Sequence, residues 1–412
     1  MRTPTGKFVL AACLLVLGVS AGCGGGSTAS NNSNNGGGSG GDASIIATIS
    51  AGAGPQAVVV NATTNKIYVA NYGSPGSDEI ECLGTPGSVT EIDGASNSST
   101  TVNTGSPGGP YPIAIALDPA TNTAYLLSQG HVIADGECFT FHPFELDGYN
   151  GATLAGSKID SGMGTNGFAP AALAVDSGAN SLYVANHCCG NVLVVDGTSE
   201  TVMDTVPIAA GVGWAVAVNS TTHKIYVAGN GVSVIDGATN DVTSIAGLNG
   251  SPGSLAVNET TNKIYAAYSS SNVISVIDGA TGTATTITVP SAAGLGPMAV
   301  NPVSNKVYAL NPGGNSVTVI DGATNSLTSI PAGTNPIALA VNPDTNFVYV
   351  ANLGNKNDAG SVTVINGSTN STATLTDPLA ANPIAVAVSA GDNKIYVANS
   401  GSKNVTVIAG AQ

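Results

Sequence analysis

From residue 44 to residue 409 the chain runs in short apolar stretches that alternate with polar residues at a period of two and break at turn formers. That period belongs to half-buried β-strands, and no stretch of this region carries the 3.6-residue apolar stripe of a surface helix. One module recurs eight times, centred on an apolar-Tyr-apolar strand at Tyr68, Tyr125, Tyr183, Tyr226, Tyr265, Tyr308, Tyr349 and Tyr396. The spacings are 57, 58, 43, 39, 43, 41 and 47 residues. A small apolar strand precedes each Tyr, as in Pro336-Ile-Ala-Leu-Ala-Val-Asn342. An alternating Val/Thr strand follows, as in Ser316-Val-Thr-Val-Ile-Asp-Gly322, and then a Thr/Ser-rich strand, as in Glu200-Thr-Val-Met-Asp-Thr-Val206.

Each strand of the module has its own place. The small first strand suits a crowded central axis, and the second puts one Tyr into the gap between neighbouring sheets. The third is half covered, and the fourth is polar enough for an outer edge. Asp-Gly or Asn-Gly closes the third strand in seven of the eight copies, Ala409-Gly410 ending the last, and the repeated Asp93, Asp147, Asp196, Asp236, Asp278 and Asp321 read as turn residues. Four-stranded antiparallel modules of roughly 40 to 45 residues predict an all-β fold, a β-propeller. The last module stops after its third strand, at Asn404-Val-Thr-Val-Ile-Ala409, and the folded region opens with an orphan fourth-type strand, Ser44-Ile-Ile-Ala-Thr-Ile-Ser50. Pairing the two predicts eight blades in one closed ring, with the N-terminal strand completing the last. Seven blades is the alternative, with the heavily modified second module excluded.

The segments Tyr68-Val-Ala-Asn71, Tyr183-Val-Ala-Asn186, Tyr349-Val-Ala-Asn352 and Tyr396-Val-Ala-Asn399 resemble the Tyr-Val-Thr-Asn repeat of surface-layer-type propellers, with Ala in place of Thr. The Val-Ile-Asp-Gly-Ala-Thr-Asn segments are similar too, and the likeness covers residues 44 to 412. It implies the propeller fold and a place in the cell envelope, and it says almost nothing of function.

The N-terminus changes the picture of where the protein works. Arg2 and Lys7 precede an apolar run from Phe8 to Val19 and the small-residue site Ser20-Ala21-Gly22-Cys23, the layout of an export signal too short for a membrane span. Cys23 directly after Ala21-Gly22 resembles a bacterial lipoprotein signal, which implies cleavage after residue 22 and a diacylglycerol on Cys23. Gly24 after that Cys implies the outer membrane in a Gram-negative cell. The domain reading is therefore a signal peptide over 1–22, a Gly/Ser/Asn-rich flexible tether over 23–43, and a propeller over 44–412. The membrane is met through the lipid alone, and a monomer is expected.

Ten Lys and Arg against 25 Asp and Glu leave a net charge of −15, which excludes the clustered basic surface that nucleic acid requires. In an antiparallel ring the 2–3 and 4–1 connections share one side. The irregular segments 72–87, 104–111, 128–143, 160–169 and 187–190 all fall there, so that looped face is the expected binding surface. Between Lys66 and Lys158 the chain has no basic residue, and Asp78, Glu79, Glu81, Asp135 and Glu137 lie in the inserted loops as a negative rim. Most aromatics outside the repeat gather between residues 72 and 214, with Tyr111 and Trp214 as candidates to line a ligand surface and the packing of loops as the competing role.

Cys82, Cys138, Cys188 and Cys189 fall in the 2–3 loops of the first three modules, and in an exported protein they are disulfide candidates. Cys82–Cys138 with a vicinal Cys188–Cys189 bridge is one pairing, and cross-pairing is the other. His131, His142 and His187 join the same loops as weak ligands for a divalent metal, without standard metal spacing. No cofactor is required by the sequence. No P-loop and no placed dinucleotide fingerprint occur. The leading functional expectation is a non-enzymatic scaffold that binds a protein, glycan or small ligand. A lyase- or hydrolase-type propeller enzyme and a structural or adhesive module are the alternatives.

Overall fold

The computed structural model describes residues 42–73, 85–104, 111–129, 131–135, 138–142, 144–159, 170–187, 189–209, 211, 213–248, 250–290, 294–355 and 359–412, with the backbone alone over 131–142. The signal peptide, Cys23 and all but the last two residues of the tether lie outside these. Among the described residues there are eight four-stranded antiparallel sheets and one two-stranded hairpin. The only helical turn among them is Pro312–Gly314. The chain is an eight-bladed β-propeller, and the seven-blade alternative is set aside because the modified second module forms a complete blade.

Blades 1 to 8 begin at Pro55, Tyr111, Pro170, Ala215, Ser254, Met298, Pro336 and Pro383. In each, the first strand lies innermost and touches the first strand of both neighbours, so the eight close a circle. Blade 8 takes its outer strand from the other end of the chain. Ser44–Ser50 pairs antiparallel with Asn404–Ala409, from Ser44 opposite Ala409 to Ser50 opposite Asn404. The carboxylate of Asp377, 8% exposed, anchors this closing strand. Its Oδ2 accepts from Thr48 Oγ1 at 2.8 Å and from Thr406 Oγ1 at 2.7 Å.

The core is a set of eight apolar clusters, one at each junction between blades. Tyr183, Val194 and Val216 share one cluster, and Tyr68, Val89 and Leu126 share another. The repeated Tyr rings, 0–1% exposed, fill those junctions as the pattern required. Burial pushes the phenols of Tyr125, Tyr183, Tyr308 and Tyr349 up to about 12.

One face is built from uniform turns that fasten each blade to the next. Residue Asn61 of the first strand in blade 1 donates from Nδ2 to Asn122 Oδ1 in the 1–2 turn of blade 2, at 2.7 Å. Asn219, Asn258, Asn301 and Asn342 reach Asn262, Asn305, Asn346 and Asn393 in the same way at 2.8–2.9 Å. The accepting turn residues adopt φ of 48–58°, a left-handed conformation that Asn tolerates better than other side chains. Two junctions use charge instead. Asn180 donates to Asp118 Oδ2, and His223 Nδ1 lies 2.7 Å from Asp176 Oδ2. At the junction of blades 8 and 1, Ser389 occupies the Asn position and Asn65 Oδ1 has no partner among the described residues; Lys394 Nζ donates to Gly94 O there.

The Gly of each Asp-Gly turn answers to this packing more than to backbone conformation. A Cβ on Gly322 would stand 2.4 Å from Asn305 Oδ1. The neighbouring Asp321 Oδ1 accepts from Ala323 N and Thr324 N, as expected of a turn residue. Blade 2 corrects one assignment. Its turn residue is Asn150, whose Oδ1 accepts from Ala152 N and Thr153 N. Asp147 lies mid-strand opposite Leu126, 2% exposed, because the strand runs two residues past the first Asp-Gly pair before turning.

Two outcomes test this architecture. Deleting residues 44–50 exposes the edge of Asn404–Ala409 and removes Thr48, one of the two partners of Asp377 Oδ2, so the melting transition should fall steeply and broaden, whereas deleting 24–41 should leave it unchanged. Asn301→Ala, which strands the N–H groups of Val303 and Ser304 that the amide oxygen satisfies, should cost about 1–3 kcal/mol in urea denaturation.

Candidate functional site

The looped face carries the departures from the repeat. In blades 1, 3, 7 and 8 the first strand opens with a bulge at its second residue (Gln56, Ala171, Ile337 and Ile384) and in blade 2 at its third (Ile113), and bulges re-aim side chains at the rims of sheets. Trp214 occupies the corresponding place in blade 4, one residue before Ala215, with its N–H donated to Ala228 O at 2.8 Å. The ring is half-buried and meets His187, which follows the second strand of blade 3. The two ring centroids are 3.7 Å apart and the planes tilt by 39°. Two residues expected on the looped face on different grounds, one as aromatic and one as ligand, are therefore a contacting pair.

The loops beneath them are fixed to each other. Ile208 N donates to Gly190 O at 2.8 Å. A Cβ on Gly190, whose φ is 61°, would stand 2.2 Å from Gly211 O, so the approach of the two loops requires Gly there. Cys189 is exposed next to His187. Cys82, Cys188 and the side chain of Cys138 lie outside the described residues, and so does the pairing expected of them. His187 Nδ1 is buried with no hydrogen-bond partner among the described residues.

Tyr111 has a different place from the one expected. It is 2% exposed and stacks on Tyr72, with centroids 4.7 Å apart and planes 15° from parallel. The pair packs a loop onto the ring, and Tyr72 is the member with exposed surface; burial raises the phenol pKa of both. Between the second and third strands of blade 2 stands the extra hairpin, His131–Asp135 with Cys138–His142. Its register sets His131 opposite His142 and Asp135 opposite Cys138. Glu137 and the acids Asp78, Glu79 and Glu81 lie outside the described residues. Among the described residues no three His, Cys, Asp or Glu side chains gather as a metal set. The described His–carboxylate pair, His223 with Asp176, lies on the opposite, turn-built face. The crevice beside Asp377, between blades 7 and 8, belongs to the anchoring of the closing strand.

Blade 2 also holds the most perturbed carboxyl described. Burial, then the charge of Glu145, pushes Asp147 up to about 7, and the nearby Lys158 only partly offsets them. The signal for this group was present in the chain as a second turn pair, Asn150-Gly151, three residues after Asp147, but only the register reveals it.

No protein-family model matches the chain, and no curated protein does. Among solved structures, the crystal structure of the computationally designed Ika8 protein superposes with a TM-score of 0.66 at 13% identity, over 88% of this chain and 98% of that one. The likeness is one of fold. No helix among the described residues is long and apolar enough to cross a membrane.

The Asp147 carboxyl has a pKa above its unfolded value, so ionising it opposes folding, and the stability it costs grows as pH rises from about 4 through 7. In buffer containing EDTA, Asp147→Asn should be more stable than the parent at pH 8, on the order of 4 kcal/mol at most, and should lose that advantage at pH 4 in paired denaturant titrations.

Proposed function

We propose that the protein is a lipid-anchored binding scaffold of the bacterial cell envelope, whose rigid ring presents the looped face around His187 and Trp214 to a ligand. The anchor is Cys23 and the tether is the Gly/Ser/Asn-rich stretch over 23–43, which would hold the propeller clear of the outer membrane. The Tyr-Val-Ala-Asn segments support membership of the surface-layer-type propellers, and four Cys on the looped side support disulfides between its loops.

The observation that carries the reading is the tilted aromatic pair at the inner rim, formed from two loops that are fixed to each other. A half-exposed indole held at a defined angle offers an apolar platform with a polar edge, suited to stacking the apolar face of a sugar ring or an aromatic side chain. The rest of the ring contributes stiffness, so little ordering entropy is spent on binding. Glycan or peptide ligands are the class expected, with the acidic loops favouring a basic or neutral partner.

Trp214 is the single tryptophan of the chain, so its emission reports this surface alone. Glycan arrays and envelope pull-downs should identify ligands whose titration shifts that emission. Trp214→Ala should weaken their binding at least tenfold with the melting transition preserved, and His187→Ala should do so to a lesser degree. Ligands retained at full affinity by Trp214→Ala and by Asp135→Asn would place recognition elsewhere.

A further inference from the structure

A polar trio recurs on the blade face opposite the repeated Tyr. In blade 1, Asn71 Nδ2 donates to Thr90 Oγ1 at 2.9 Å and Ser88 Oγ at 3.2 Å. In blade 7, Asn352 Nδ2 reaches Thr363 Oγ1 at 3.0 Å and Ser361 Oγ at 3.1 Å. In blade 8, Asn399 Nδ2 reaches Thr406 Oγ1 and Asn404 Oδ1, both at 2.9 Å. Three strand positions thus converge on one point, occupied by an amide nitrogen that supplies the donors.

Register gives the counterparts in blade 2. Ser128 pairs with Glu145 and Leu126 with Asp147, as Asn71 pairs with Ser88 and Val69 with Thr90. The amide donor has become a hydroxyl, and the two acceptor positions have become carboxylates. Ser128 is 0% and Asp147 2% exposed. Ser128 Oγ, Glu145 Oε2 and Asp147 Oδ2 are each buried without a hydrogen-bond partner among the described residues. Lys158 Nζ takes the other oxygen of Glu145, Oε1, at 2.7 Å, and its side chain is 70% exposed, so it caps the group from the rim and leaves the inner oxygens unmet. Buried acceptors left in this state cost ~1–3 kcal/mol each, and more when charged.

We propose that Ser128, Glu145 and Asp147 bind a hard divalent cation, Ca2+, at the point where other blades hold the amide nitrogen. An all-oxygen set of two carboxylates and a hydroxyl suits Ca2+ or Mg2+ and disfavours the softer transition metals. Size separates the two. In the other blades the central atom stands 2.9–3.2 Å from its oxygens, closer to the ~2.3–2.6 Å of Ca2+ than to the ~2.0–2.1 Å of Mg2+. Water completes the coordination, as is usual for sites with few protein ligands. The cation supplies the positive charge that the lost amide donor cannot, and it ties the third strand of blade 2, and so the base of its inserted hairpin, to the second.

The test uses the purified protein stripped with EDTA. Millimolar CaCl2 should raise its melting temperature by several degrees, with a smaller rise for MgCl2. Tb3+ should bind with emission sensitised through Tyr149, which lies on the same strand face as Glu145 and Asp147, and Ca2+ should displace it. Glu145→Gln and Asp147→Asn should each weaken the Ca2+ response at least tenfold. The triple variant Ser128→Asn, Glu145→Ser, Asp147→Thr rebuilds the trio of blade 7, and should fold and show no response to Ca2+. An unchanged melting temperature of the parent across millimolar Ca2+, or an equal shift in the triple variant, overturns the proposal.

Discussion

Polar pairing across the blade junctions is the constraint from which the rest of the ring follows, through two amides at five junctions and through a carboxylate at two. At seven junctions the first strand of one blade ends on Asn or Asp, and that side chain meets the left-handed turn of the next blade. The same turn residue leaves no room for a Cβ on the Gly that closes the third strand. One position therefore dictates two others, in the neighbouring turn and in the neighbouring sheet. The regular face is uniform because a change in any of the three strands buried polar groups.

The opposite face is under no such coupling. Its connections leave the ends of strands already held by the Tyr-filled junctions and the turn amides, so they can lengthen without disturbing the ring. A hairpin enters blade 2 between its second and third strands while the four-stranded sheet remains complete. Where two such connections do touch, at Gly190 and Gly211, the contact is close and fixes the platform of His187 and Trp214. Rigidity is thus inherited from one side of the molecule and used on the other.

Blade 2 shows how much chemistry a repeat can conceal. By residue type its Asp147-Gly148 pair matches the Asp-Gly turn of five other modules. By register it lies three residues inside the strand, where six of the other seven blades place Thr or Ser and blade 3 places Leu193. The chain contains both readings, since Asn150-Gly151 is equally a turn pair. Pairing with Leu126 decides between them, and pairing is a property of two strands. Tyr111 is a similar case: as an aromatic beside long loops it suits a ligand surface, and its stacking on Tyr72 buries it instead.

The sequence by itself determined the all-β class, the eight modules, the strand that closes the ring and the identity of the decorated face. These follow from local properties, the period-two alternation and the turn residues, while the choice of eight blades over seven waited on the complete sheet of blade 2. Tertiary structure alone decided which rings meet, which carboxyl is buried and which turn amide bonds to which blade. Those contacts join residues 27 to 61 positions apart, as in His187 with Trp214 and Asn61 with Asn122, and no local pattern records the distance between them.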